Sequence, residues 1–323
     1  DCSVQRRHQK IIEEGPQVAA PPETWAKMEA AAVALAREVG YKCAGTVEYL
    51  YVPAIDEFYF LELNPRLQVE HPCSEWITRT NIPAIMLNVT MGIPLSRIPD
   101  IRNFYGKPTY GPEPIDFATE KGIVKGHVVA GRITAENPEE GFQPTSGSIT
   151  ELTFRNTPNV WGYFSTYAGV HEFSDSQFGH VFAWGETREA ARRTMVCALM
   201  ELNIRGDIRT TVEYLITLME TEAFRDNEIS TEWLDGLIAN RVKTATPDIA
   251  LSTVCGAMYK AYIREQEYLS AIRDCLENGQ IPPKAKSFIK FNVELILDDV
   301  KYNYEVARRG PTLFEVGCNG SAI

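Results

Sequence analysis

Apolar and polar positions alternate most sharply in two neighbouring stretches, residues 45–52 and 58–71. Both read as strands, and residues 53–57 between them (Pro-Ala-Ile-Asp-Glu) suit a hairpin loop. In the second stretch Glu62, Asn64, Arg66, Gln68 and Glu70 share one parity, while Leu61, Leu63, Leu67 and Val69 share the other. An extended run would place charged and amide side chains on one face and core on the other. Pro65 removes a ladder donor, so a bulge or strand end is expected there. Pairing Val52 with Phe58 puts Glu48 opposite Glu62.

The rest of the chain reads as alternating helices and strands. Pro21-Pro22 introduces a helix with Trp25, Met28, Ala32, Leu35 and Val39 on a face expected to be core, with Gly40 as its stop. A further helix is predicted around residues 84–91, broken by Gly92-Ile93-Pro94. Residues 102–125 read as a connecting loop. Residues 126–138 read as a strand carrying Arg132 into a turn, and 141–166 as short strands. Helical stripes follow at Ala191, Met195, Ala198 and Leu202, then at Val212, Leu215 and Leu218, with a third helix from Thr231. Composition shifts at 244–247, where a domain boundary is expected. Beyond it come a helix over 248–278, a break at Pro282-Pro283, and a half-buried strand in which Ile289, Phe291, Val293, Leu295 and Leu297 alternate with mostly polar residues. A turn at Asp298-Asp299 leads to strands around 302–306 and 313–316.

Composition narrows the setting. The chain has 323 residues, enough for more than one core, and 44% of them are hydrophobic. A net charge of −11 argues against a nucleic-acid or anionic-membrane surface. Seven dispersed cysteines without a CxxC fit a reducing compartment, so the cytoplasm is expected, with a plastid as the alternative. Neither GxGxxG nor GxxxxGK[ST] occurs. The chain opens at Asp1 without a methionine and stops at Ile323 in a strand-like run, which reads as a piece of a longer polypeptide.

The hairpin carries the candidate chemistry. Two facing carboxylates must share a proton or a cation. Asn64 adds an amide oxygen on the same face, and two carboxylates with an amide oxygen suit Mg²⁺ or Mn²⁺, completed by phosphate oxygens. The alternative is a solvated hairpin with scattered charge. Arg66 offers a planar fork for a small oxyanion, and Glu70 is a candidate base; the two could instead form a structural ion pair. Gln5, His8 and Lys10, within the basic run Arg6-Arg7-His8-Gln9-Lys10, are candidates for nucleotide and anion contacts.

Residues 62–71 (Glu-Leu-Asn-Pro-Arg-Leu-Gln-Val-Glu-His) resemble the active-site signature of biotin carboxylases, members of the ATP-grasp superfamily. Residues 5–10 and 45–48 match two further motifs of that family in the right order. Residues 173–182 continue the biotin carboxylase pattern, and residues 159–164, 205–215 and 231–238 resemble the eukaryotic multidomain acetyl-CoA carboxylases. The resemblance implies an α+β fold: the C-terminal part of an ATP-grasp biotin carboxylase, an antiparallel sheet flanked by helices, over 1–245 (catalytic portion 1–100, C-terminal subdomain 101–245). Residues 246–323 would begin a linker domain, a helix followed by the start of an antiparallel β-barrel. A glycine-rich lid lies N-terminal to this stretch in the resembled family, so the chain would hold half of an active site.

The implied reaction is carboxylation of carrier-bound biotin with bicarbonate, driven by ATP through carboxyphosphate. The implied metal ligands, for two Mg²⁺ or Mn²⁺ ions, are Glu48, Glu62 and Asn64. His8 is assigned to the nucleotide, and Lys10 to bicarbonate and phosphate. Gln68 and the Val69 backbone contact bicarbonate, Glu70 is the base, Arg66 holds bicarbonate or carboxyphosphate, and Arg132 meets bicarbonate and the ureido oxygen of biotin. The implied partners are the biotin carrier and carboxyltransferase domains of the same polypeptide, in a homodimer. Another acyl-CoA or pyruvate carboxylase, or a docking module without catalysis, are the alternatives.

Overall fold

The computed structural model describes residues 1–2, 4–165, 175–239, 248–281, 290–297, 300–319 and 321–322. The chain divides into two compact units, Asp1–Thr244 and Ala245–Ile323. The predicted boundary at 244–247, the break at Pro282-Pro283, Ile289, the turn at Asp298-Asp299, and Thr166, Phe173 and Ser174 of the expected strand and motif lie outside the described residues.

The first unit opens with β1 (Val4–Arg6) and β2 (Gln9–Gly15), joined through Arg7 and His8. Both turn residues have positive φ, 46° and 67°, the backbone a two-residue hairpin requires. α1 (Pro22–Glu38) starts with Pro at its first position and ends where Gly40 takes φ 65°. The hairpin of β3 (Thr46–Val52) and β4 (Glu57–Asn64) forms its own two-stranded sheet. Glu48 does pair with Glu62, but Val52 pairs with Glu57 and Tyr51 with Phe58. An irregularity beside Glu48 and Tyr49 absorbs the one-residue difference.

Two expectations fail here for one reason. The predicted apolar face of α1 is not core: Met28 is buried, whereas Trp25 and Val39 are exposed. On β4, Leu61 is 55% exposed instead of facing a core. A two-stranded sheet offers too small a face to bury such a stripe. α1 meets the hairpin through hydrogen bonds, Thr24 Oγ1 to Asp56 Oδ2 at 2.9 Å and Tyr49 Oη to the Met28 carbonyl at 3.2 Å. The extended reading of residues 65–70 also fails, because β4 ends at Asn64, before Pro65, and the chain turns.

The turn leads into α2 (His71–Thr78), which periodicity did not predict, and α3 (Ile82–Thr90), which it did. α4 (Pro99–Phe104) takes the first residues assigned to the connecting loop. Next come β5 (His127–Thr134), the short β6 (Glu136–Asn137) and β7 (Gln143–Pro144), β8 (Ile149–Thr153), β9 (Val160–Phe164) and β10 (Gln177–Gly185). α5 (Arg188–Glu201), β11 (Asn203–Gly206), α6 (Val212–Glu220), α7 (Glu222–Arg225) and α8 (Trp233–Ala239) complete the unit.

The central sheet runs β1-β2-β5-β10-β9, antiparallel throughout. Its two faces differ. Val129, Ile133, Val181 and Ala183 join the α5 and α6 residues Met195, Leu199, Leu215 and Leu218 in the main core. Val128, Ala130 and Phe182, of the opposite parity, pack with Cys73, Trp76 and Ile77 of α2. That second face also carries Arg132 and His180, register partners on β5 and β10. α2 therefore covers its apolar half and leaves its polar half beside Glu70.

In the second unit α9 (Ile249–Glu277) packs on a four-stranded antiparallel sheet of β12 (Lys290–Leu297), β13 (Val300–Arg308), β14 (Phe314–Cys318) and β15 (Ser321–Ala322). Ala257 and Ala261 of α9 meet Val293, Tyr304, Val306 and Val316. Among the described residues this sheet is open, and no helix is long and apolar enough to cross a membrane.

Leu215 is wholly buried between α6 and the sheet. Leu215→Ala should lower the unfolding free energy of the first unit by about 2–5 kcal/mol in urea denaturation. A loss well under 1 kcal/mol would mean that this face is not the main core.

Candidate active site

Three elements bring the polar residues together. β2 presents Lys10 and Glu13, the hairpin presents Glu48, Glu62 and Asn64, and the start of α2 presents Glu70. Glu70 is the N-cap residue of α2, yet its side chain does not cap the helix. It is turned to the sheet, where Lys10 Nζ donates to its Oε1 at 2.8 Å and Arg132 Nη2 to its Oε2 at 3.3 Å. Lys10 also donates to Glu48 Oε1 at 2.8 Å. Arg132 Nε donates to Glu13 Oε1 at 2.5 Å.

Glu48, Lys10, Glu70, Arg132 and Glu13 thus form one line of alternating charge. Side-chain exposure falls along it from 21% at Glu48 to 2% at Glu13. The Glu48 end faces solvent and any ligand; the Glu13 end is support. Burial alone would raise the Glu13 carboxyl, but His180 and Arg132 hold it below its ordinary value. Burial likewise opposes ionisation of Glu48, and hydrogen bonds from Lys10, Gln68 and Asn64 outweigh it, so its carboxyl is also lowered. For Lys10, burial is overcome by negative partners that include Glu48 and Glu70, and its ammonium is held above the usual lysine range.

The facing carboxylates of the hairpin are reconciled by an amide. Asn64 Nδ2 donates to Glu62 Oε1 at 2.7 Å and to Glu48 Oε1 at 3.0 Å. Among the described residues no group of three or more His, Cys, Asp or Glu side chains could hold a metal. The donor set still fits a hard dication: two opposed carboxylates, one exposed, and an amide whose rotation presents oxygen in place of nitrogen. Gln68 Nε2 donates to Glu48 at 2.9 Å, while its Oε1 is buried without a hydrogen-bond partner among the described residues.

Other predicted residues fall differently. Val69 lies in the turn between Gln68 and Glu70. Gln5 is the register partner of Lys10, and its amide donates to the Cys2 carbonyl at 2.7 Å. Arg66 does not stand beside Glu70: it is exposed and donates to the Leu67 carbonyl at 3.4 Å. Strand parity implied the proximity, and the turn after Asn64 removes it. His8 is exposed at the tip of the β1–β2 turn and has no hydrogen bond to the cluster among the described residues. Sequence reading missed Glu13, Gln177 and His180. Gln177 Oε1 accepts from Arg132 Nη1 at 3.5 Å, and His180 Nε2 donates to Glu13 Oε2 at 3.1 Å. The one available signal was Glu13-Glu14 directly after Ile11-Ile12, an acidic pair inside an apolar strand.

A helix-flanked antiparallel sheet and a separate hairpin that opposes two carboxylates make up the site, and the class the chain matches is the biotin carboxylase part of biotin-dependent carboxylases. Three family models match the chain: the carbamoyl-phosphate synthase L chain ATP-binding domain over residues 1–98, the biotin carboxylase C-terminal domain over 130–236, and the acetyl-CoA carboxylase BT domain over 248–323. The acetyl-CoA carboxylase of Schizosaccharomyces pombe is 52% identical over 99% of the chain and that of Dictyostelium discoideum 54% over 98%, although the chain spans only 15% and 14% of them. Among solved structures, the biotin carboxylase domain dimer of Hydrogenobacter thermophilus 2-oxoglutarate carboxylase, in complex with MgADP, ADP and bicarbonate, is 29% identical with a TM-score of 0.62, covering 73% of this chain and 48% of that one. The chain belongs to the acetyl-CoA carboxylase family.

Because Glu13 titrates below its ordinary 4.5, its ion pairs stabilise the fold fully above that pH and are lost as pH falls through the lowered value. Glu13→Gln should cost about 3–5 kcal/mol near neutrality. In urea unfolding at a series of pH values, that difference should shrink below pH 4.5. A difference that stays constant into acid would show that Glu13 is not ionised in the folded chain.

Proposed function

We propose that this chain supplies the bicarbonate- and biotin-facing half of a biotin carboxylase site, in the first half-reaction of an acetyl-CoA carboxylase that makes malonyl-CoA for fatty acid synthesis. The observation that carries the reading is the convergence of Lys10 and Arg132 on the Glu70 carboxylate. Two cations converging on one carboxylate also attract a small anion to the same place.

In this reading bicarbonate enters beside Glu70, which takes its proton, while Lys10 and Arg132 face the developing charge. Gln68 lines the bicarbonate site beside Glu48. An oxygen of bicarbonate accepts the γ-phosphoryl group of ATP and ADP leaves; the resulting carboxyphosphate splits into CO₂ and phosphate. Glu48, Glu62 and Asn64 would hold Mg²⁺ or Mn²⁺, which when bound neutralises phosphate charge. Biotin, brought by a carrier domain, gives its ureido N–H proton to the released phosphate, and the nitrogen forms the bond to CO₂. In this reading the Arg132 guanidinium meets the ureido oxygen. The carrier and carboxyltransferase domains belong to the same long polypeptide, as the length of the relatives supports. A homodimer is the proposed assembly.

Arg66 keeps a place in this scheme only if ligand binding reorients it; its exposure leaves it free to do so. In the full-length carboxylase, Glu70→Gln should reduce bicarbonate-dependent ATP cleavage by about 10²–10⁴-fold while nucleotide affinity is retained. Cleavage within a fewfold of the parent would remove Glu70 as the base. Glu62→Gln should raise the Mg²⁺ concentration needed for half-maximal turnover, and an unchanged Mg²⁺ dependence would refute the ligand assignment.

A further inference from the structure

Arg132 carries the only guanidinium in the charge line among the described residues, and its position is set from behind. Glu13 on β2, Arg132 on β5 and His180 on β10 lie on three adjacent strands of one sheet and on the same face. Glu13 uses one oxygen for Arg132 Nε at 2.5 Å and the other for His180 Nε2 at 3.1 Å. His180 is wholly buried, and its Nδ1 has no hydrogen-bond partner among the described residues. With no hydrogen bond at Nδ1 among the described residues, the imidazole is committed to Glu13 by a single hydrogen bond. Phe182 packs against the ring at a centroid distance of 4.2 Å and Tyr163 at 6.1 Å, which fixes its plane. A buried carboxylate with one free oxygen could rotate; the imidazole removes that freedom.

We infer that His180 and Glu13 are positioning residues for Arg132: the imidazole orients the carboxylate, and the carboxylate aims the guanidinium at Glu70 and at the acceptor of CO₂. The arrangement follows the logic by which a third group orients a catalytic pair, here applied to a cation instead of a base. It rests on the reading that Arg132 serves the biotin step. Lys10, which also reaches Glu70, is held by Glu48 and lies outside this support. The two cations of the site therefore depend on different scaffolds, and loosening Arg132 should damage the transfer to biotin more than the cleavage of ATP.

The test uses the full-length carboxylase and two activities: fixation of labelled bicarbonate on the carrier biotin, and bicarbonate-dependent ATP cleavage with that biotin sequestered by avidin. Arg132→Ala is the reference. His180→Leu should lower fixation relative to cleavage by about tenfold to a hundredfold, the cost of misplacing a group by about 1 Å. His180→Gln, whose amide can still donate to Glu13, should restore most of it. Glu13→Gln should resemble His180→Leu, and thermal unfolding of each variant reports whether the fold survives. The inference is overturned if His180→Leu lowers both activities equally, or neither, while Arg132→Ala separates them. It is also overturned if His180→Gln is as impaired as His180→Leu. If Arg132→Ala itself fails to separate the two activities, the assignment of Arg132 to biotin falls, and the positioning role with it.

Discussion

An ammonium shared by two carboxylates from separate elements is the interaction on which the site depends. Lys10 extends from β2 and bonds Glu48 of the hairpin and Glu70 at the start of α2. The hairpin is its own small sheet, and α2 follows a turn. Without Lys10, two acidic groups would face each other across partly buried space with Asn64 and Gln68 as neutral donors. Like charges so placed repel, and removing one partner of a buried pair leaves an uncompensated charge. The hydrogen bonds of one lysine thus fix the hairpin, the helix start and the central sheet relative to one another.

Alternation extends that constraint into the core. Glu70 is shared with Arg132, Arg132 with Glu13, and Glu13 with His180. Every added charge is met by its opposite, so the line can run from half-exposed to fully buried without stranding an ion. The exposed end, with Glu48 and Lys10, is open to small charged ligands. The buried end cannot reach them and serves geometry. α2 links the ends, since its apolar side sits on Val128, Ala130 and Phe182 while its N-cap residue Glu70 faces the charges.

Much of this was legible in the sequence. Facing strands around residues 53–57 implied the opposition of Glu48 and Glu62, and helical stripes such as Met195 and Leu215 marked the core. What failed did so where tertiary context overrode period. Strand parity carried past Asn64 and placed Arg66 beside Glu70, but Pro65 ended the strand, and a turn sent the two side chains apart. α1 has an apolar stripe, yet Trp25 and Val39 stay exposed and the helix meets the hairpin through hydrogen bonds. The meeting of Glu13 with Arg132 and His180 was not legible, because it comes from strand order. β2 and β10 flank β5, and no local pattern states that residues so far apart in sequence lie side by side on one face.

The most direct test of the shared-lysine claim is a double-mutant cycle on Lys10→Met and Glu70→Gln, read as unfolding free energy in urea. The account predicts a coupling of at least about 1 kcal/mol, within the range of about 0.5–3 kcal/mol for residues in one ion-pair network. Strictly additive losses would contradict it, because Lys10 and Glu70 would then hold their places independently.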